Sequence, residues 1–271
     1  MKKFTFISAI ASVLITGSVQ AQVCDSVTVT GPPSGAPSSW VYNGALVGAS
    51  VELAQMTLRA AGVKKVDIKM FSSWPEALEA TRRGDVDLIL SAGWSSERAR
   101  YLTYVYPAYA YQFLQVIVRK GTGFPLNSYA DLKGRVGVAG RGETYGDSTF
   151  GLFVEKELQL ERSPNLSASI DRLLAGNADY VLAYENSAYS EIYTRDLGDK
   201  VHILPTYPFR ADTFFAFSKR SRCANALIPK LELEVVKANK RNEFYLLTKK
   251  YRTLFNESQN APAVTPPKPS R

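Results

Sequence analysis

Gly84-Asp85-Val86-Asp87-Leu88-Ile89-Leu90 and Gly176-Asn177-Ala178-Asp179-Tyr180-Val181-Leu182 repeat one pattern, G-x-x-D-x-x-L, in the two halves of the chain. Each copy joins a helix-stopping glycine to an apolar run suited to a buried strand. Upstream of the first copy, Ser73-Trp74-Pro75-Glu76 is a capping box that opens the helix closed by Gly84, with Glu76 as the partner of Ser73. Further back, Val66, Ile68 and Met70 alternate with Asp67 and Lys69 as in a strand. Val51, Ala54, Leu58 and Ala61 recur at helical spacing, Leu53 and Met56 widen that face, and Gly62 stops the helix. Residues 27–30 read as a strand, followed by a loop rich in Pro, Gly and Ser over 31–39. The second half restarts this grammar, with strands at 116–118 and 135–138 and helices at 145–158 and 169–175. Alternating strand and helix predict parallel sheets covered by helices, and the repeated junction predicts two similar α/β lobes. Past Phe214 a strand leads to helices over 225–254, and the Pro-rich tail, 259–271, is expected to be disordered.

Met1-Lys2-Lys3, an apolar stretch over 4–15 and the small residues up to Ala21 have the order of a secretory signal peptide, 1–21, cleaved after Ala21. The apolar stretch is shorter than the roughly 20 residues a bilayer span needs, and no later stretch is long or apolar enough to anchor the chain. The expected location is the periplasm. About 250 residues then remain, enough for one large domain or two lobes. The formal charge of +8 falls by two when Lys2 and Lys3 leave, and the remaining basic residues are scattered, as on a solvated surface. Nucleic acid is an improbable partner for an exported chain of this kind.

The two cysteines, Cys24 and Cys223, are expected to form a disulfide in an oxidising compartment. A lipidated Cys24 is the rival reading, disfavoured by Val23 where a small residue normally precedes the modified cysteine. The single histidine, His202, alternates with Val201 and Ile203 in an expected strand and has no nucleophile pattern beside it. His, Cys and carboxylate clusters with metal-ligand spacing are missing, as is a Gly-rich phosphate loop, so no metal or cofactor is expected.

Over residues 48–120 the chain resembles family 3 extracellular solute-binding proteins. Gly48 and Glu52 match the opening of the family's first helix, Trp74 its aromatic before the second, and Gly84 with Asp87 its G-x-x-D strand. Ser95-Ser96-Glu97-Arg98 follows as its T-P-E-R-like turn, then Tyr106-Pro107 with Tyr109 as its aromatic-Pro-aromatic turn. Asp131-Leu132-Lys133-Gly134-Arg135-Val136-Gly137-Val138, Arg141-Gly142-Glu143-Thr144-Tyr145-Gly146 and Phe215-Ala216-Phe217-Ser218-Lys219 extend the likeness through the second half. The resemblance implies the type II periplasmic-binding-protein fold, an α/β class in which each lobe is a mostly parallel sheet flanked by helices and the ligand lies in a cleft between lobes. Lobe 1 would comprise 22–110 and 213–258, and lobe 2 would comprise 111–212, placing Cys24 and Cys223 in one lobe. It implies capture of a small carboxylate-bearing solute for the membrane subunits of an ABC importer, by a monomer that does no chemistry. A cyclohexadienyl-type dehydratase on the same fold, with Glu185 or Glu143 as general acid, and a soluble sensor for a signalling partner are the alternatives.

In that family an arginine matching Arg98 grips the ligand's carboxylate. Here it stands in the first turn of a helix starting after Ser95, where backbone N–H groups would share the anion; alone, it would read as a surface arginine or as the partner of Glu97. Gly142, Glu143 and Thr144 lie between a strand and a helix, suiting either an anion from the opposite lobe or a plain turn with Thr144 as helix cap. Trp74 and Trp40 are candidates to cover the ligand's body, against the commoner fate of a core tryptophan. Trp94, Tyr109 and Tyr145 read as core or rim residues first. Amino-acid binders of the family carry an aspartate five residues after that of G-x-x-D, where this chain has Tyr184. Glu185 follows, but neighbouring strand positions face opposite ways.

Overall fold

The computed structural model describes residues 24–205 and 209–260. The expected signal peptide and the tail from residue 261 lie outside the described residues. The first half runs β1 (Ser26–Thr30), β2 (Ser34–Gly35), β3 (Ser39–Tyr42), β4 (Ala45–Val47), α1 (Ala49–Ala60), β5 (Lys65–Ile68), α2 (Trp74–Arg83), β6 (Leu88–Ala92), α3 (Ser96–Ala99) and β7 (Leu102–Tyr104). The long strand β8 (Ala110–Arg119) leads into β9 (Gly137–Gly140), α4 (Thr149–Glu157), β10 (Leu160–Ser163), α5 (Leu166–Leu174), β11 (Tyr180–Tyr184), α6 (Glu185–Thr194) and β12 (Val201–Ile203). The chain returns along β13 (Arg210–Ser218) and ends in α7 (Ala224–Lys240) and α8 (Glu243–Asn260).

Strands β5-β1-β6 are parallel, as are β10-β9-β11, so each half of the molecule has its own mostly parallel sheet flanked by helices. β8 and β13 join them: residues 110–113 pair antiparallel with 210–213, after which β8 borders β11 and β13 borders β6. Two crossing strands therefore link two lobes, and the ends of the parallel strands face the junction, where open α/β sheets bind ligands.

The repeated junction does the same work in both lobes. Gly84 and Gly176 adopt φ of 86° and 79°, the left-handed conformation that ends α2 and α5 with little strain for glycine. Three residues on, the Asp87 carboxylate accepts the N–H of Thr28, at 2.9 Å, and its hydroxyl, at 2.8 Å, while Asp179 accepts the N–H of Val136 at 2.7 Å. Asp87 thus holds the middle of β1, and Asp179 holds the residue just before β9. The two leucines, Leu90 and Leu182, are buried in separate cores.

Several expected boundaries move. α4 begins at Thr149, because Ser148 Oγ accepts the Gly151 N–H at 3.0 Å and donates to the Tyr145 carbonyl at 2.8 Å. Residues 146–148 turn into the helix, and Thr144 is not the cap. At α2, Ser73 Oγ accepts the Glu76 N–H at 3.4 Å, but Glu76 reaches back to the N–H and hydroxyl of Ser72 rather than to Ser73. The strand expected at 135–138 lies at 137–140, α5 starts at Leu166, and α8 continues to Asn260, past the expected start of the tail. Cys24 and Cys223 are disulfide-bonded, with 5.4 Å between their Cα atoms, tying the chain before β1 to the start of α7. His202 lies in β12 with its side chain exposed. Among the described residues no helix is long and apolar enough to cross a membrane, and no group of three His, Cys, Asp or Glu is placed to hold a metal.

Candidate functional site

Arg98 is the buried cation of the junction, only 6% exposed. Ser95 puts it there: its hydroxyl accepts the Arg98 N–H at 3.2 Å and caps α3, which turns the guanidinium inward. Nη1 donates to the Gly93 carbonyl at 3.0 Å in lobe 1, and Nη2 to the Gly142 carbonyl at 2.7 Å in lobe 2. Two of five N–H donors are used in this way, leaving three for another partner. The guanidinium carbon lies 5.6 Å from the centroid of the Trp74 ring. A buried cation whose hydrogen bonds go to neutral carbonyls favours an anion beside it.

A cavity of about 80 Å³ adjoins the guanidinium. Trp74, Glu143, Thr144 and Tyr184 line it, together with Ser34, Ser38, Ser39, Ser91, Ser187, Thr213, Gln112, Asn186 and Asp212. Gly142 closes in from lobe 2 with φ of 79°; a Cβ there would meet Trp74 Cδ1 at 3.2 Å, so a side chain would push the lobes apart. Burial raises the Glu143 carboxyl above its ordinary range, while Arg98 and Arg162 pull it down. Tyr184 is pushed well above the ordinary phenol value by burial and by Glu143, and its hydroxyl donates to the Thr144 carbonyl at 2.8 Å. The site is therefore lined by a cation, neutral donors and two carboxyls.

Not every candidate residue reaches this cavity. Trp40, 5% exposed, packs edge-on against Tyr251 and Phe255 of α8, with ring centroids 5.8 and 5.7 Å away. It is a core residue and not a cover for the cleft. Glu185 opens α6 instead of ending a strand; burial raises its carboxyl, the backbone of Phe113 hydrogen-bonds to it, and it does not line the cavity. Ser95 acts through Arg98 as a cap. Tyr145 is buried against Phe150, and Trp94 is exposed away from this cavity.

The family model for bacterial extracellular solute-binding proteins, family 3, matches residues 27–256. The chain belongs to this family. A search of curated proteins gives no match. Among solved structures, the substrate-binding protein of an amino acid ABC transporter superposes with a TM-score of 0.66 at 17% identity, covering 84% of this chain and 99% of that one. The arginine-, lysine-, histidine-binding protein ArtJ from Geobacillus stearothermophilus gives 0.65 at 20% identity, covering 83% and 94%. A histidine kinase sensor domain with similarity to periplasmic binding proteins gives 0.68 at 19% identity, covering 83% and 95%.

The sequence reading of this family 3 protein missed the polar residues contributed by the crossing strands and by the strand end. Gln112 and Asp212 sit on β8 and β13, one register step apart. Ser91 has φ of 57°, in the left-handed region that serine rarely occupies, and lines the cavity at the end of β6. Its N–H donates to the Tyr109 hydroxyl at 3.1 Å; that hydroxyl donates to Ser50 Oγ at 2.9 Å, which lies 2.7 Å from Ser38 Oγ. Tyr109 is thus a buried support for the cleft floor, not a rim residue. The usable signal was its position: Ser91 follows the buried run 88–90 at the strand end that faces the junction.

Proposed function

We propose that this family 3 protein is a periplasmic binder that captures a small carboxylate-bearing solute in the cleft and presents it to the membrane subunits of an ABC importer. The single observation that carries the reading is Arg98: a buried guanidinium with three uncommitted donors, facing a cavity between the two lobes. A carboxylate matches the fork of such a group and replaces the water it has lost. Trp74 covers the adjoining face, and Glu143, Thr144 and Tyr184 complete the enclosure from lobe 2. With Tyr184 in place of the family's aspartate, the usual ammonium contact of a standard α-amino acid is not reproduced at that position. Mass spectrometry of small molecules released from natively purified protein tests the reading. A stoichiometric carboxylate is expected; a stoichiometric solute without an anionic group contradicts it.

Two other readings each rest on one observation. The likeness to a kinase sensor domain suits a soluble sensor, in which the bound solute reports to a signalling partner. Glu143, a carboxyl raised by burial inside the cleft, suits the general acid of a dehydratase. Turnover of a cyclohexadienyl acid, lost in Glu143→Gln, would establish the latter.

A further inference from the structure

The cavity at Arg98 is small, about 80 Å³, against roughly 300 to 1,000 Å³ for typical small-molecule sites. A second cavity of about 530 Å³ adjoins it and shares Ser34, Trp74, Glu143 and Ser187 in its walls. Val41, Met70, Phe71 and Pro75 form an apolar stretch of its lobe 1 wall, beside Ser72 and Ser73, while Leu166 lies on the lobe 2 side with the polar Arg141, Asn165 and Glu191. Val41 and Met70 are 38% and 47% exposed, large apolar side chains left uncovered by the fold beside a ligand cleft.

We propose that this second cavity is a subsite for the apolar body of the solute, so that the protein selects elongated carboxylates with a hydrophobic chain or ring over short ones. The inference rests on the carboxylate reading above, with Arg98 fixing the head and the 70–75 loop receiving the body. The shared walls at Ser34, Trp74, Glu143 and Ser187 put both cavities within reach of one molecule. Burial against such a wall strengthens binding by about fourfold per methylene added.

Calorimetry of the intact protein with two homologous series tests this: straight-chain carboxylates from butyrate to decanoate, and α-amino acids from L-alanine to L-2-aminooctanoate. Affinity is expected to rise stepwise with chain length in at least one series, and Met70→Asp is expected to flatten that rise. No gain with length in either series, including no binding at all, overturns the proposal. So does a gain that Met70→Asp leaves unchanged. Arg98→Ala separates this claim from the one beneath it. If length brings no gain but Arg98→Ala still weakens binding of the carboxylates, the subsite fails and the carboxylate reading stands. If the gain survives undiminished in Arg98→Ala, the subsite stands and Arg98 is not the anchor.

Discussion

Glu143 shares a cavity with Arg98, yet its own carboxyl is harder to ionise than usual because burial outweighs the pull of two arginines. The folded protein therefore holds that proton at pH values above the ordinary carboxylate value of 4.5, where the unfolded chain has lost it. Stability must fall as pH rises through that window and be regained in acid, the reverse of a salt-bridged carboxylate. Glu143→Gln, which cannot ionise, is expected to melt higher than the parent near pH 7, with the gap closing towards the acid end of the window. A gap that stays constant with pH would show that Glu143 ionises as freely in the fold as in the unfolded chain. Tyr109 gives a second test at this scale. Its hydroxyl serves Ser91 and Ser50 while its ring stacks on Phe215, centroids 4.3 Å apart. Tyr109→Phe keeps the ring and orphans those partners, at about 1 to 3 kcal/mol. That corresponds to a melting temperature several degrees lower, at roughly 2 to 4 °C per kcal/mol for a chain of this size. An unchanged melting temperature would mean that the left-handed Ser91 is held by something else.

At the level of elements, the G-x-x-D junction is where the sequence was most legible. Its glycines and aspartates act locally: φ above zero ends the helix, and one carboxylate holds the strand beside it. Asp87→Ala would leave the Thr28 N–H and the Ser221 hydroxyl without their acceptor and should lower stability by about 2 to 4 kcal/mol, measurable by urea unfolding. A loss well under 1 kcal/mol would contradict the role of Asp87 in holding β1. The start of α4 was misread for a related reason. Tyr145 extends an apolar pattern towards the helix, but Ser148 competes for the cap through two hydrogen bonds that a hydrophobic period does not register. Trp40 was illegible for the opposite reason, because its partners Tyr251 and Phe255 lie at the far end of the chain. Arg98, Trp74 and Thr144 could be named from motif order; Gln112 and Asp212 could not, because only the crossing of β8 and β13 gives them a cavity to face.

Across the whole molecule, two features tie distant parts of the chain together. The Cys24–Cys223 bond closes a loop of 199 residues in sequence and fixes the returning segment to the start of lobe 1. Loop-closure entropy puts its contribution at about 5 kcal/mol as an upper figure, with 2 to 5 expected. The Cys24→Ser, Cys223→Ser double variant should therefore melt well below the parent, and equal melting temperatures would show the bond to be dispensable. The lobes themselves meet through Arg98 and Gly142, through the Ser96 N–H on the Asp147 carboxylate at 3.4 Å, and through Tyr189 of α6, whose hydroxyl donates to Asn256 of α8 at 2.7 Å. On the proposed reading, ligand capture replaces water at Arg98 with a carboxylate while both lobes remain around it. The most direct measurement is calorimetry of Arg98→Ala against the solute retained by the native protein, with circular dichroism reporting on the fold. Removing one partner of a desolvated charge pair typically costs about 2 to 5 kcal/mol, so the affinity should fall by roughly 30-fold or more; unchanged affinity in an intact fold would contradict carboxylate capture by Arg98.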